Sequence, residues 1–205
     1  MIAIINYGVG NLFSLVGSLE HLGIDAVVTS DAEEIRKADR IILPGVGAFA
    51  DAKQKLVDTG LIPVIDEEVR NGKPLLGICL GMQLLFEKSY EYGEHEGLGY
   101  IKGEVCPLNE DISKELKVPH IGWNKLIIKD KKNPILKYTG DNDYVYYVHS
   151  FYAKNCDESL VAYSEYDVKV PGLVCKNNIF GAQFHPEKSG SVGLDMLKAF
   201  NEVTV

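Results

Sequence analysis

Two kinds of segment alternate along the first half of the chain: short β-branched runs, and longer stretches with apolar residues at helical spacing. The helical face that begins at Leu12 stops at Gly23, a residue type that commonly follows a helix. Ser30 and Glu33 resemble a capping box that starts a second, short helix. Strands are predicted at Ile2–Ile5, Ala26–Thr29, Arg40–Leu43 and 74–78. This alternation predicts right-handed βαβ crossovers and a parallel sheet.

After Gly97 the pattern changes, because strand-like stretches follow one another with few helices between them. Asn177 and Asn178 lie between two such stretches and predict a hairpin. A final helical pattern over residues 192–200 is amphipathic. The strand-like stretches are 118–128, 144–152, Leu160–Tyr166, 173–175 and 180–184. We therefore expect one α/β domain over residues 1–205, whose parallel sheet gains antiparallel strands in its second half.

Composition and charge narrow the class of protein. A chain of 205 residues buries well over half of its unfolded surface, so its core needs neither disulfides nor a metal. The net charge of -8 argues against binding to nucleic acid or to an anionic membrane, and the first residues lack the features of a signal peptide. The cysteines form no Cys-x-x-Cys pair, so no metal site is indicated and a reducing cytoplasm is expected. They are Cys79, Cys106, Cys156 and Cys175.

The strongest local signal is the segment Gly77-Ile78-Cys79-Leu80-Gly81, which follows a predicted buried strand and precedes a helical run over 82–86. It matches the nucleophile-elbow pattern, with cysteine where hydrolases often have serine. Such a turn holds the nucleophile in strained backbone geometry, and flanking glycines let neighbouring backbone pass closely. The following helix N-terminus favours a thiolate. The alternative interpretation of Cys79 is a buried structural cysteine in a glycine-rich turn.

A cysteine nucleophile needs a base, and the base needs an orienting group. The segment Phe184-His185-Pro186-Glu187 supplies both. Alternating strand geometry would place the side chains of His185 and Glu187 on the same side. The remaining histidines are better explained by structural or exposed positions, and they are His21, His95, His120 and His149.

Acyl transfer also requires backbone N–H groups that stabilise the developing oxyanion. One candidate donor is the amide of Leu80, and a second is available in the turn Pro44-Gly45-Val46-Gly47. Both segments follow predicted strands, and ligands of open α/β sheets bind outside the carboxyl ends of the strands. By contrast, Gly8-Val9-Gly10 does not complete a dinucleotide motif, because Phe13 occupies the third glycine position. No cofactor is expected.

Taken together, the segments 77–83 and 184–187 resemble the nucleophile and His-Glu segments of class I, triad-type glutamine amidotransferases. The similarity covers essentially the whole chain. It implies a flavodoxin-like mixed sheet with a parallel core flanked by helices. Three further stretches narrow the resemblance to glutaminase subunits of histidine biosynthesis that supply ammonia to a separate cyclase subunit, a (β/α)8 barrel. These stretches are 6–11, 122–124 and 185–189.

The resemblance implies a role for each matching residue. Cys79 attacks the side-chain amide carbonyl of glutamine to form a γ-glutamyl thioester. His185 protonates the departing ammonia and later activates water, while Glu187 orients the imidazole. The amides of Val46 and Leu80 donate to the oxyanion. The substrate contacts implied are Gly47, Gln83, His149, Ser150 and Phe151. The positions implied at or near the cyclase interface are Asn11, Trp123, Tyr146 and Lys188.

Two alternatives stay open at the level of sequence. The first is a paralogue that supplies ammonia to a different barrel synthase, for example one that aminates a sugar precursor. The second is a catalytically inactive partner-binding module that keeps the same fold. The presence of Cys79, His185 and Glu187 argues against the inactive module, whereas the sequence alone does not separate the two kinds of active subunit.

Overall fold

The computed structural model describes residues 1–204 and shows alternating strands and helices followed by a run of strands. The strands are β1 (Ile2–Ile5), β2 (Ala26–Thr29), β3 (Arg40–Leu43), β4 (Leu75–Ile78), β5 (Phe86–Ser89), β6 (His95–Glu96), β7 (Ile101–Pro107), β8 (His120–Lys125), β9 (Ile127–Ile128), β10 (Tyr144–His149), β11 (Phe151–Lys154), β12 (Leu160–Tyr166), β13 (Val168–Lys176) and β14 (Ile179–Ala182). The α-helices are α1 (Leu12–His21), α2 (Ala32–Lys37), α3 (Phe49–Asp58), α4 (Ile62–Arg70), α5 (Leu80–Leu84) and α6 (Gly190–Glu202).

A mixed sheet forms the centre of the fold, in the order β2-β1-β3-β4-β14-β13-β12-β9. The first five strands pair in parallel, and their order is the flavodoxin-like 2-1-3-4-5 with β14 in the fifth place. The next three add antiparallel pairs at one edge. The predicted mixed sheet with a parallel core is therefore confirmed. Ligands of such sheets bind outside the carboxyl ends of the strands.

Helices pack on both faces of this sheet, because successive side chains of each strand point to opposite sides. On β1, Ile2 and Ile4 join a core with α1 and α6, whereas Ala3 and Ile5 join a core with α2, α3 and α4. All four side chains are fully buried, as expected for a parallel strand covered on both faces. Within residues 1–204, none of these helices has the length and apolar character that crossing a membrane requires.

The other strands of the second half form two smaller sheets. Strand β10 pairs antiparallel with β8, and a separate sheet has the order β11-β7-β5-β6. The predicted strand over 144–152 is therefore two strands in different sheets, since the chain leaves β10 at His149 and enters β11 at Phe151. The stretch 118–128 is likewise divided between β8 and β9. The hairpin predicted at residues 177–178 is confirmed, because it joins the antiparallel strands β13 and β14.

Two helix boundaries differ from the prediction. Asp31, rather than Ser30, is the N-cap of α2, because its carboxylate accepts the N–H of Glu33. The helix after the elbow ends at Leu84, and Phe86 begins β5. Residues 80–86 are all buried, and periodicity alone does not distinguish a helix from a strand in such a short apolar run.

Candidate active site

The elbow between β4 and α5 holds Cys79 in a strained conformation. Its backbone has φ 54° and ψ −111°, a region that costs a residue other than glycine about 1–3 kcal/mol. The N–H of Cys79 donates to the carbonyl of Ala182 at 2.7 Å, which ties the elbow to the end of β14. A Cβ added to Gly81 would lie 1.9 Å from the carbonyl oxygen of Leu43. The close approach of β3 therefore requires glycine here, as the elbow pattern predicts.

His185 and Glu187 form a buried pair beside the elbow. Nδ1 of His185 lies 2.8 Å from Oε1 of Glu187, and both side chains are at most 3% exposed. The prediction that a strand aligns them is wrong, because β14 ends at Ala182, and Glu187 lies in a 3-10 turn over Pro186–Lys188 that His185 directly precedes. The hydroxyl of Ser189 donates to the carbonyl of His185 at 2.7 Å and closes this turn.

The protonation of His185 depends on opposing effects. Burial lowers its pKa, but the neighbouring Cys79 and Glu187 stabilise the charged ring and raise the pKa to about 9. The ring nitrogen opposite Glu187, Nε2, is buried and makes no hydrogen bond within residues 1–204. A charged imidazole favours a neighbouring thiolate, and Nε2 is the atom available to give a proton to a leaving group.

The two segments that carry the candidate oxyanion donors touch each other. A Cβ added to Gly45 would lie 2.6 Å from the amide nitrogen of Gly81 and 2.9 Å from Cβ of Leu80. Leu80 opens α5, where the first N–H groups have no acceptor inside the helix. Val46 and Gly47 line the same cavity as Cys79. Gly47 has φ 96° and open space around it, so the backbone of this turn can change conformation easily after Val46.

A cavity of about 370 Å³ is lined both by the elbow and by the turn that carries His185. Its volume suits a small ligand. All five of the predicted substrate contacts line it, as do Cys79, His185 and both candidate oxyanion residues. The remaining lining residues are Glu91, Pro119, Val148 and Lys188. Glu187 lies behind His185, so the structure brings the predicted catalytic and substrate residues together at the carboxyl edge of the sheet.

The carbonyl oxygen of Phe151 orients two of the predicted substrate contacts. It accepts Nε2 of Gln83 at 3.0 Å and lies 2.9 Å from Nδ1 of His149. Because a carbonyl only accepts, Nδ1 of His149 carries the proton, and its Nε2 accepts from Nδ1 of His120 at 3.0 Å. Burial lowers the pKa of His149 to about 3 and that of His120 to about 4, so both rings are neutral near pH 7. His120 is a structural residue, as the sequence indicates.

Two buried polar residues, one lining the cavity and one in contact with Cys79, were not indicated by any motif. Glu91 lines the cavity, and its carboxylate accepts the N–H of Phe49 at 2.6 Å, at the start of α3. Burial raises the pKa of Glu91, and the Phe49 N–H opposes this. Gln183 is fully buried, and its Nε2 lies 3.8 Å from Sγ of Cys79. For Gln183, the sequence does contain a signal, because a polar residue at the end of a buried apolar run is unusual. For Glu91, the signal was hidden: this residue follows β5, and Phe86, which begins β5, was predicted to be helical.

Three of the predicted interface residues are connected to the cavity or to the turn of His185 beside it. Trp123 is 55% exposed and packs edge-on against Tyr146, its partner across β8 and β10, with ring centroids 5.9 Å apart. The backbone of Tyr146 also binds the turn that carries His185, because its carbonyl accepts the N–H of His185 at 3.0 Å and its N–H donates to the hydroxyl of Ser189 at 2.9 Å. Lys188 lines the cavity itself.

Asn11, the fourth predicted interface residue, contacts Glu187 of the His185–Glu187 pair. Its Nδ2 lies 3.4 Å from Oε1 of Glu187, the oxygen that also faces His185. The Asn11 side chain therefore contributes to holding the carboxylate in place.

The remaining cysteines lie away from this cavity and are poor nucleophiles. Burial raises the pKa of each thiol, to about 12 for Cys156, and also for Cys106 and Cys175. Within residues 1–204, no group of three or more His, Cys, Asp or Glu side chains is arranged to hold a metal ion.

The sequence and the fold agree with one family of known proteins. A family model for class-I glutamine amidotransferases matches residues 3–203. Two solved structures superpose with a TM-score of 0.75: a glutamine amidotransferase, 18% identical over 98% of this chain and 100% of that chain, and PurLQS from Thermotoga maritima, 20% identical over 98% and 97%. These two likenesses show the fold. The chain belongs to the class-I glutamine amidotransferase family, and the predicted resemblance is confirmed.

Within this family, the chain is similar to one kind of subunit along its full length. It is 52% identical to imidazole glycerol phosphate synthase subunit HisH of Lactococcus lactis subsp. lactis, over 98% of each chain. It is 50% identical to the HisH subunit of Caldanaerobacter subterraneus subsp. tengcongensis, over 99% of this chain and 98% of that one. The agreement is therefore with a whole subunit rather than with one domain of a longer protein.

Proposed function

We propose that this chain is the glutaminase subunit of an imidazole glycerol phosphate synthase and acts in histidine biosynthesis in the cytoplasm. It hydrolyses L-glutamine to glutamate and ammonia and passes the ammonia to a cyclase subunit, a (β/α)8 barrel with which it forms a heterodimer. The cyclase forms imidazole glycerol phosphate and AICAR from PRFAR. The observation that carries the proposal is a single cavity shared by Cys79, on a strained elbow, and by His185 of the buried His185–Glu187 pair. The similarity to HisH subunits favours this role over a sugar-amidating paralogue.

The first half of the reaction forms a thioester. The thiolate of Cys79 attacks the side-chain carbonyl carbon of glutamine, and the carbonyl electrons move to the oxygen. The amides of Val46 and Leu80 stabilise that oxyanion, each contributing about 3–4 kcal/mol to lowering the barrier. When the C–N bond breaks, Nε2 of His185 protonates the leaving nitrogen. The products of this half are ammonia and a γ-glutamyl thioester on Cys79.

The second half releases glutamate. Nε2 of His185, now neutral, accepts a proton from water as the oxygen attacks the thioester carbonyl. The C–S bond then breaks, which returns Cys79 to the thiolate and His185 to the charged form. Glu187 holds the ring through the 2.8 Å contact at Nδ1 and stabilises its charge in both halves.

Recognition of glutamine requires an acceptor for its α-ammonium group. Glu91 contributes a carboxylate to the cavity lining and is fixed by the Phe49 N–H. We assign the α-ammonium group to Glu91. We assign the other polar groups of glutamine to Gln83 and to the backbone of residues 149–151, which line the same cavity.

Glu91→Gln should raise the KM for glutamine by about 10- to 100-fold with a smaller change in kcat, because a charge-assisted hydrogen bond is lost. Burial raises the pKa of Glu91 above its ordinary value, so the wild-type carboxylate gains its proton at a higher pH than a free glutamate does. The wild-type KM should therefore rise as pH falls, whereas the KM of the variant should be flat. Glutamate release by the complex between pH 5 and 8 measures both. Glu94→Gln, at an exposed position of the same loop, is the matched control, and an equal effect there would contradict the assignment.

The cyclase docks, in this proposal, on the exposed apolar surface formed by β8 and β10. Ile121, Trp123 and Tyr144 are between 48% and 58% exposed on these two paired strands. Exposed apolar side chains grouped in this way are typical of protein interfaces. The same strand β10 is hydrogen-bonded to the turn of His185 through Tyr146, so docking acts directly on the catalytic turn.

Glutaminase activity of the isolated chain should be low and should rise about 100- to 1000-fold when the cyclase binds its nucleotide substrate, the range expected for one oxyanion donor. Ammonia released into water is protonated and lost as a nucleophile, so coupling requires an active geometry completed only in the loaded complex. The peptide between Gly45 and Val46 is the proposed switch, because the glycines on either side of Val46 let its N–H rotate toward the oxyanion position. Glutamate release with and without cyclase and nucleotide measures the stimulation.

Val46→Pro separates the switch from docking, because proline has no N–H. This variant should bind the cyclase normally but lose the stimulation, whereas Val46→Ala, which keeps the N–H, should retain it. Full activity of the isolated wild-type chain, unchanged by cyclase and nucleotide, would refute the switch. Absence of glutaminase activity in the loaded complex would instead support the inactive-module alternative.

A further inference from the structure

Gln183 directly precedes the His185 motif and lies against the nucleophile. Strand β14 pairs in parallel with β4, with Ala182 opposite Ile78, so the next residue along each strand places Gln183 beside Cys79. The side chain of Gln183 is fully buried, and its Nε2 is 3.8 Å from Sγ of Cys79. Buried amide groups are almost always hydrogen-bonded, so the partners of this one define what it does.

The orientation of the Gln183 amide follows from a chain of contacts that starts at the carbonyl of Phe151. That carbonyl only accepts, so the group of Gln83 that lies 3.0 Å away is its NH2. The same NH2 lies 3.1 Å from Gln183, which must present its acceptor oxygen Oε1 there. The NH2 of Gln183 consequently faces the sulfur. The main chain of Gln183 is also fixed, because its backbone N–H donates to the carbonyl of Gly172 at 2.9 Å.

We infer that Gln183 is a thiolate-binding residue: its Nε2–H group donates to Sγ of Cys79 and stabilises the anionic nucleophile before it attacks glutamine. The inference rests on the proposed function for the role of Cys79. Hydrogen bonds to an ionised acceptor are about twice as strong as neutral ones, and burial strengthens them further. His185 supplies a charge to the site, and Gln183 adds a fixed dipole aimed at the sulfur.

The sulfur has a different partner in each protonation state. The carbonyl of Val148 lies 3.9 Å from Sγ and accepts the S–H of the neutral thiol. After the proton leaves, this carbonyl is an unfavourable neighbour for the anion, and the Gln183 amide becomes the favourable one. Gln83 therefore affects the Cys79 thiolate indirectly: it lines the cavity, and it also sets the orientation of the Gln183 amide that faces the sulfur.

Gln183→Glu and Gln183→Met test the inference, because both remove the donor and the first keeps the acceptor for Gln83. The readout is the rate at which iodoacetamide alkylates the Cys79 peptide, followed by mass spectrometry from pH 5 to 10 on the full chain bound to the cyclase. Both variants should shift the midpoint of this profile upward by about one to two pH units and lower kcat for glutamine more than they change KM. An unchanged midpoint in a folded variant would overturn the inference, even if kcat falls.

The matched control is Asn178→Asp, which also converts a buried amide to a carboxylate. Asn178 donates to the carbonyls of Val69 and Lys73, each at 2.8 Å, at the opposite end of β14 from the nucleophile. This variant should lose stability without moving the alkylation midpoint; an equal shift would show that the Gln183 effect is a general consequence of destabilisation.

A measurement on the unaltered Gln183 keeps the inference testable if its variants do not fold. The side-chain amide protons of Gln183 should shift in the NMR spectrum of the complex with the same pH midpoint as alkylation of Cys79, and Cys79→Ser should abolish that shift. Amide protons that do not respond would overturn the inference. Failure of the proposed function has a different signature, because either a Cys79→Ala chain would then still hydrolyse glutamine or the unaltered complex would not hydrolyse it.

Discussion

Cys79→Ala and Cys79→Ser should each abolish glutamine-dependent synthesis by the complex, by roughly four orders of magnitude or more, while synthesis from ammonium salts stays intact. The strained elbow presents Cys79 to the cavity, and the covalent intermediate cannot form without its sulfur. The chemistry of the cyclase is untouched by the change, so added ammonia bypasses the defect. Glutamate release and cyclase product formation, each measured with glutamine and with ammonium chloride, separate the two activities.

The other cysteines provide the controls for this prediction. Cys106→Ser, Cys156→Ala and Cys175→Ser should keep glutamine-dependent activity, because burial raises the pKa of each of these thiols and none lines the described cavity. An electrophilic diazo-ketone analogue of glutamine should label Cys79 alone. Labelling at another cysteine, or loss of the ammonia-dependent reaction in Cys79→Ala, would contradict the assignment.

The parallel part of the sheet could be predicted from sequence because each of its strands can be recognised from its own residues, without knowledge of its partner strands. A strand covered by helices on both faces buries all its side chains, and Ile2–Ile5 is a continuous apolar run of this kind. Each such run is followed by a helical pattern, and the handedness of the crossover then leaves few arrangements. The order of the strands was not predictable, because β14 takes the fifth place after an excursion of about a hundred residues from β4.

The errors fall where local sequence carries no information about distant partners. Phe86 continues an apolar run and is therefore predicted to be helical. It begins β5 instead, because it pairs with Ile101 of β7 in one of the smaller sheets. The stretch 144–152 has strand propensity throughout, and only the pairing of its halves with β8 and β7 shows that it is two strands. His185 and Glu187 were paired correctly for the wrong geometric reason, since a 3-10 turn and a strand both bring residues i and i+2 within reach of each other here.

The candidate site shows the same division between local and distant information. Cys79, His185 and Glu187 stand in short motifs whose spacing reflects a local turn, so sequence analysis finds them. Gln183 is 104 residues from Cys79 and meets it through the pairing of β14 with β4. Glu91 reaches the cavity from a loop that is tied to the start of α3. Residues of this second kind are recognised when the fold brings them to the cavity, because no fixed spacing links them to the nucleophile.

His185→Ala should reduce glutamine-dependent kcat nearly as far as Cys79→Ala, because the imidazole promotes thiolate formation and also protonates the departing ammonia. Glu187→Gln should be at least ten times less harmful. A neutral amide still accepts from Nδ1 and positions the ring, and Asn11 lies 3.4 Å from Oε1 in the wild type and can hold the replacement side chain. Measuring kcat and KM for glutamine in the loaded complex ranks the three variants.

The pH dependence of Glu187→Gln distinguishes charge stabilisation from simple positioning. In the wild type, Cys79 and Glu187 raise the pKa of His185 to about 9 against the effect of burial. In the proposed mechanism the charged ring is the acid that protonates the leaving nitrogen, so activity that depends on it is present below this pKa and is lost as pH rises through it. Removing the carboxylate charge lowers the pKa of His185, and the alkaline loss of kcat should therefore begin at lower pH in Glu187→Gln. If the profile does not move while kcat falls as far as in Cys79→Ala, Glu187 has a role beyond orienting and charging the ring.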